Sequence, residues 1–190
     1  MRICQLSNTR CMINQEVTMR SDRRVQYTKK AIREAFLSLL ESSPLEDVTV
    51  KEICCIADIN RATFYRNYAD LYALYDAIEE DMLSAAFPDT MKSFSILDFL
   101  LLIQENKAFY REVYRKGKVS ASSLKIIGRY RAEVQSMLRP DMDPELYDTC
   151  LRFAVYGVSG LLRDWLESDC KEDARQIARQ IDFITSKLYT

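Results

Sequence analysis

Between Thr49 and Tyr68 the chain reads TVKEICCIADINRATFYRNY. This order of residues fits two short helices around a tight turn. Thr49 and Glu52 stand in S/T-x-x-E spacing, so Thr49 caps the first amides while Glu52 reaches back. Val50, Ile53, Cys54 and Ala57 recur at i, i+3, i+4 and i+7, which gives one apolar helix face. Ala57-Asp58-Ile59 breaks that period, and Asp58 suits the turn because Asp tolerates left-handed backbone. Asn60 caps the next helix, expected from Arg61 to about Tyr68. On it Phe64 points inward, and Arg61, Ala62, Thr63, Tyr65 and Arg66 are left to face outward.

A second short helix with exposed polar and basic residues is the helix-turn-helix arrangement, whose second helix enters a major groove. Spacing alone also fits an ordinary helical hairpin with a solvated face. The run Thr49-Val50-x-x-Ile53 … Ala57-Asp58-Ile59-Asn60-x-x-Thr63-Phe64-Tyr65-x-x-Tyr68 resembles the N-terminal domain of TetR/AcrR-type transcriptional regulators, over Tyr27 to about Ile78. Two positions depart from that pattern. The usual turn glycine is Asp58, and a lysine common at the start of the following helix is Leu71. The resemblance implies base contacts by Arg61 and Ala62. It implies backbone contacts by Thr63, Tyr65 and Arg66, with Thr49 and Lys51 reaching phosphate from the first helix. Asn60 and Tyr68, at the two ends of the second helix, complete the set.

The rest of the chain reads as all-α, because Gly and Pro number only four each and amphipathic runs are long. Residues 1–22 show no sustained period. They are expected to form a flexible tail, or an upstream extension before a start at Met19. Arg20, Arg23 and Arg24 would make it a basic arm. From Thr28, the stripe Ile32, Ala35, Phe36, Leu39 and Leu40 marks a helix that Ser42-Ser43-Pro44 ends. Residues 23–70 thus form a three-helix DNA-binding unit, and 71–190 a larger helical ligand and dimerisation domain. Asp70 caps a helix carrying Leu74, Tyr75, Ile78 and Met82, which Pro88 stops. Helical spacing resumes at Ile96, breaks near Asn106, and recurs from Ser123 to Leu138. Asp143-Pro144 is a helix start followed by proline at the first position. That helix is expected to end near Glu167, and Asp169-x-x-Glu172 to cap the last one. Gly157 and Gly160 inside the long helix suggest close approach by another helix.

Net charge is −1, so global charge does not announce a nucleic-acid binder. Its distribution helps: residues 19–68 hold nine Lys or Arg against seven Asp or Glu. Positive charge therefore lies where phosphate contacts are needed. Histidine is absent, which excludes His-dependent catalysis and His-ligated metals. The six cysteines show no C-x-x-C spacing, and no phosphate-binding Gly-rich loop or G-x-S-x-G appears. No enzyme activity, metal or cofactor is expected. No signal peptide or membrane helix is read, and a cytoplasmic protein with free thiols is the simplest expectation.

The resemblance further implies a ligand pocket among the middle helices, with Phe99, Tyr110, Tyr114, Tyr130, Phe153, Tyr156 and Trp165 as candidates. It implies a homodimer through the last two helices. Their stripes, Leu151, Val155, Val158 and Leu162 with Ile177, Ile181, Ile184 and Leu188, would form a four-helix interface. Tyr156-Gly157-x-x-Gly160 … Trp165-Leu166 is similar to the C-terminal region of TetR-type regulators of Firmicutes. The expected function is a dimeric repressor that a small molecule releases from operator DNA. The alternative is a regulator of the same fold controlled by a protein partner, as in activators of dihydroxyacetone kinase operons.

Overall fold

The computed structural model describes the backbone of residues 4–90, 93–116, 121–137 and 142–188, and side chains from residue 23 onward within most of these stretches. The described residues are helical and contain no strand. Contacts divide the chain into two compact units, Met1–Leu74 and Tyr75–Thr190.

The first unit holds α1 (Cys4–Ser42), α2 (Val50–Ile56) and α3 (Arg61–Asn67). The helix expected from Thr28 begins much earlier, at Cys4, although the residues before Thr28 show no sustained apolar period. The cause is visible in the sequence: neither Gly nor Pro occurs before Pro44 to stop it. Arg23 and Arg24 are exposed on α1, while the side chain of Arg20 lies outside the described residues. Ile32, Ala35, Phe36 and Leu40 are buried, and Leu45 and Val48 close the core below the connection to α2.

In the second unit α4 (Leu71–Ala86, whose first turn belongs to the first unit) is followed by α5 (Ile96–Glu105), α6 (Lys107–Lys116), α7 (Ala121–Met137), α8 (Pro144–Glu167) and α9 (Ala174–Leu188). Several starts follow the expected chemistry. Asp70 Oδ1 accepts from the Ala73 amide at 2.8 Å. Asp143 accepts from the Glu145 and Leu146 amides, with Pro144 at the first helical position. Asn106 separates α5 from α6, its side-chain nitrogen donating to the Leu102 carbonyl at 3.0 Å. Helix α5 packs on α9, and α6 and α7 on α8. Aromatic rings fill the junctions: Tyr75 stacks on Phe109 at 4.4 Å between centroids, and Phe87 on Phe94 at 5.3 Å.

The last two helices differ from expectation in three ways. Asp169 does not cap α9. It lies in the turn that ends α8, at φ 62, where its amide donates to the Leu166 carbonyl at 3.1 Å and that of Cys170 to Trp165 at 2.9 Å. This pattern is the Schellman closure, with Asp at the position where glycine is commonest. The start of α9 is capped instead by Asp173, whose Oδ1 accepts from the Arg175 amide at 2.9 Å.

Gly157 and Gly160 have no heavy atom of the chain, beyond their own helix, near an added Cβ. No helix of the same chain approaches them closely, so the close approach expected from the sequence is not made within the chain. The α8 stripes are also exchanged. Leu151 and Leu162 are buried in the chain's own core and Val155 and Val158 half-buried, whereas Phe153, Tyr156 and Leu161 are exposed. On α9, Ile181 is buried, Ile177 half-buried and Ile184 exposed. The Leu188 side chain lies outside the described residues. The period identifies both apolar faces of α8 but not which one the chain covers by itself.

Asp169 ties α6 to this corner, accepting from Lys107 Nζ and Arg111 Nη2, both at 2.8 Å. Lys107 first, and Arg111 with it, hold its carboxyl below the usual carboxylate range. A depressed folded-state pKa adds stability above the unfolded pKa and loses it as pH falls through the folded one. Asp169→Asn keeps the tolerance for left-handed backbone but drops the charge. It is expected to lower the thermal midpoint at neutral pH, with the deficit closing as pH is taken from about 4 toward 2. Parallel melts of the two proteins across pH check this.

Candidate nucleic-acid interface and interior cavity

Helices of seven residues such as α2 and α3 are too short to persist alone, so caps and packing must fix them. At the start of α2, Thr49 Oγ1 accepts from the Glu52 amide at 3.3 Å. Glu52 Oε2 accepts from the Thr49 amide at 2.9 Å and from its hydroxyl at 2.6 Å. These bonds, the hydroxyl's first, hold the Glu52 carboxyl below its ordinary value. The Thr49 hydroxyl proton goes to Glu52, so this side chain acts as a cap. The capping role expected of Thr49 is thus filled. Lys51, one residue on, is exposed.

The turn is a second Schellman closure. The Ile59 amide donates to the Cys54 carbonyl at 3.0 Å and that of Asp58 to Cys55 at 3.4 Å. Asp58 has φ 51, the left-handed region that costs most non-glycine residues. Asn60 then caps α3, its Oδ1 accepting from the Thr63 amide at 2.8 Å. Phe64 is 0% exposed. Its ring meets the Tyr65 ring edge-on at 5.5 Å and that of Tyr68 at 5.9 Å.

With Phe64 anchored inward, Arg61, Ala62, Tyr65 and Arg66 are exposed together, and Thr63 and Tyr68 are half-buried beside them. Beneath Arg61 lies Cys54, whose thiol burial pushes up and whose pKa the Arg61 charge lowers. Cys54 is therefore an inert core residue. The outward set is small, polar and cationic, and sits on a helix of one to two turns. That is the geometry for reading base edges from the front of the helix and touching phosphate from its flanks.

The second unit holds a cavity of about 370 Å³ that opens to solvent beside the exposed Tyr156 and Arg163, within the usual range for small-molecule sites. Phe99, Tyr110, Tyr114, Tyr130 and Tyr156 line it as the sequence leads one to expect. Phe153 does not. It precedes the lining residue Val155 by two positions, which turns it to the other side of α8, and it is 60% exposed. Trp165 is also outside the lining; it is a core residue whose Nε1–H donates to the Glu172 carbonyl at 2.9 Å.

Val155, Val158 and Leu162, expected at a dimer stripe, line the cavity instead. So do four polar residues that the apolar periodicity does not single out: Glu79, Ser123, Ser159 and Arg163. A signal for Glu79 exists in the sequence. It stands four residues after Tyr75 and four before Leu83, a carboxylate on the apolar face of α4. Burial first and the Glu79 charge second push the phenols of Tyr110 and Tyr114 far above the ordinary tyrosine range. Both therefore stay neutral.

An N-terminal helix-turn-helix followed by a helical unit with an interior cavity defines a class, the DNA-binding transcriptional regulators of two-part helical build. Residues 93–187 match a TetR-type family model described as "Transcriptional regulator C-terminal region". The chain belongs to the TetR family of transcriptional regulators. It is similar to YxbF of Bacillus subtilis (strain 168), an HTH-type transcriptional regulator, at 25% identity over 99 residues. That match takes in 45% of this chain and 26% of YxbF, so the chain spans about a quarter of that relative's length.

Among solved structures, the dihydroxyacetone kinase operon activator DhaS aligns with TM-score 0.63 at 18% identity, over 85% of this chain and 96% of DhaS. A TetR transcriptional regulator from Streptococcus agalactiae 2603V aligns with TM-score 0.58 at 21% identity, over 88% of this chain and 98% of that one. At such identities the likeness establishes the fold. Among the described residues, no helix is long and apolar enough to cross a membrane.

The turn offers a direct test of its geometry. Asp58→Gly removes the Cβ from a left-handed residue and is expected to stabilise the protein by about 1 kcal/mol. Urea unfolding measures it. A loss of stability would show that Asp58 contributes more through its carboxylate than it costs through its backbone.

Proposed function

We propose that this chain is a dimeric repressor that holds operator DNA through paired α3 helices and lets go when a small molecule fills the cavity of the second unit. The observation that carries this reading is the outward presentation of Arg61, Ala62, Tyr65 and Arg66 by a buried Phe64, in a chain of a DNA-binding family. Arg61 at the front of α3 donates to a guanine edge, and Ala62 allows close approach and touches a thymine methyl. Thr63, Tyr65 and Arg66, with Lys51 from α2, contact the backbone and fix register. Asn60 and Tyr68 hold the two ends of the reading helix. The protein works in the cytoplasm, where its DNA is.

The dimer surface is the exposed side of the last two helices. Phe153 and Leu161 on α8, with Phe183 and Ile184 on α9, are large apolar residues facing outward, and the exposed Tyr156 stands between this surface and the mouth of the cavity. Gly157 and Gly160 lie in the same α8 stripe with open space above them. A partner helix crossing there accounts for both the exposed aromatics and the two glycines. Leu151, Leu162 and Ile181 support that surface from beneath rather than forming it.

A second reading, control by a protein partner, draws on the likeness in fold to DhaS, an operon activator by name. The 370 Å³ cavity supports the small-molecule reading over it, because its concave, largely apolar and aromatic wall is of the kind that takes small ligands.

Two outcomes are expected. Arg61→Ala weakens operator binding by about 1–3 kcal/mol and relaxes selectivity at one base per half-site. Electrophoretic titration against singly substituted operators, which are first recovered by sequencing bound genomic fragments, measures both. Unchanged discrimination would remove Arg61 from base reading. Gly157→Ala and Gly160→Ala each favour an isolated helix by about 1 kcal/mol, yet are expected to loosen the dimer. Sedimentation equilibrium that finds equal or tighter association would move the interface elsewhere.

A further inference from the structure

Glu79 is the most deeply buried carboxylate among the described residues, at 1% exposure. It lines the cavity from α4. Its Oε1 accepts the Ser123 hydroxyl proton at 2.5 Å. Its Oε2 is buried without a hydrogen-bond partner among the described residues, and so is the hydroxyl of Tyr110 on the same wall. A buried polar atom without a partner is costly, and a carboxylate more so. The Tyr130 hydroxyl, on another lining residue, is a third, and three such atoms in one cavity mark the place of a missing polar partner.

The surroundings select what kind of donor. The wall is mostly apolar and aromatic, with Phe99, Tyr110, Tyr114 and Tyr130 contributing rings. Ring faces attract cations. The other charged lining residue, Arg163, is exposed, so water screens it. An anion drawn by Arg163 would share the cavity with the Glu79 carboxylate. A neutral hydroxyl could bond Oε2 but would leave the charge uncompensated. An ammonium group answers both needs, and it has N–H bonds to spare for the Tyr110 oxygen.

We infer that the cavity takes a compact apolar molecule bearing a protonated primary or secondary amine, its ammonium seated on Glu79 Oε2 and its ring among the tyrosines. This rests on reading the cavity as the effector site, and names the chemical class of the effector.

The test uses the full chain and three matched probes: 2-phenylethylamine, its uncharged analogue 2-phenylethanol, and the anion 3-phenylpropanoate. Isothermal calorimetry is run on the natural protein and on Glu79→Gln, which keeps an acceptor for Ser123. The amine is expected to bind at least about tenfold tighter than the alcohol, and the anion weakest, as a charge-assisted bond requires. In Glu79→Gln the preference for the amine is expected to vanish, while the melting midpoint holds or rises because a buried charge is gone.

Equal affinity for amine and alcohol, no detectable heat with the amine, or a preference that survives in Glu79→Gln would each overturn the assignment. The comparison of probes on the natural protein decides by itself should the variant fail to fold. Operator release is scored separately. An amine that binds through Glu79 without releasing DNA sinks the effector reading and leaves the amine site standing. Release by the alcohol or the anion instead does the reverse.

Discussion

The burial of Phe64 is the contact on which the outward face of α3 depends. Helix α3 has seven residues, fewer than a helix needs to hold itself together in water. Its orientation therefore comes from one aromatic anchor, one Asn cap and one turn. The anchor at 0% exposure decides which way the remaining side chains look, because helical geometry allows them no other choice. The capping box at Thr49 does the same for α2, and uses the Thr49 hydroxyl to do it. Specificity for a nucleic acid thus rests on apolar packing a few ångströms behind the surface that would read it.

Both Schellman turns carry aspartate where glycine would be easier. Asp58 and Asp169 sit at φ 51 and 62. At Asp169 the side chain offers a reason, two ion pairs to α6. Exposed pairs of this kind contribute little singly, but here one carboxylate gathers two cations and fixes the corner between α8 and α6. At Asp58 no bond of the side chain among the described residues accounts for the choice, and the residue is tolerated because aspartate is among the few that accept this backbone.

Much of the fold was legible before the structure. The capping box, the Asn60 cap, the Asp143-Pro144 start and the break at Asn106 all rest on local chemistry, and local chemistry is what a sequence states openly. Five of the seven aromatic residues expected at a pocket line the cavity. What the sequence left unresolved is global. Helix α8 has two apolar faces, and only the packing of α6, α7 and α9 tells which one lies inside. Phe153 and Val155 differ by two positions and end on opposite sides. The extent of α1 was hidden for another reason: residues before Thr28 have no apolar stripe, and the absence of helix breakers is a weaker signal than periodicity. Glu79 went unmarked because charged residues on helices are usually solvated.

The Glu79 pocket carries a consequence for how long the protein lasts. A buried carboxylate oxygen without a partner weakens the fold that contains it. Any molecule that pairs this oxygen binds the folded chain and not the unfolded one, and so raises the resistance of the second unit to opening. Proteases act on the opened fraction. Such a molecule would therefore set the abundance of the chain, through slower turnover, whatever else its binding does.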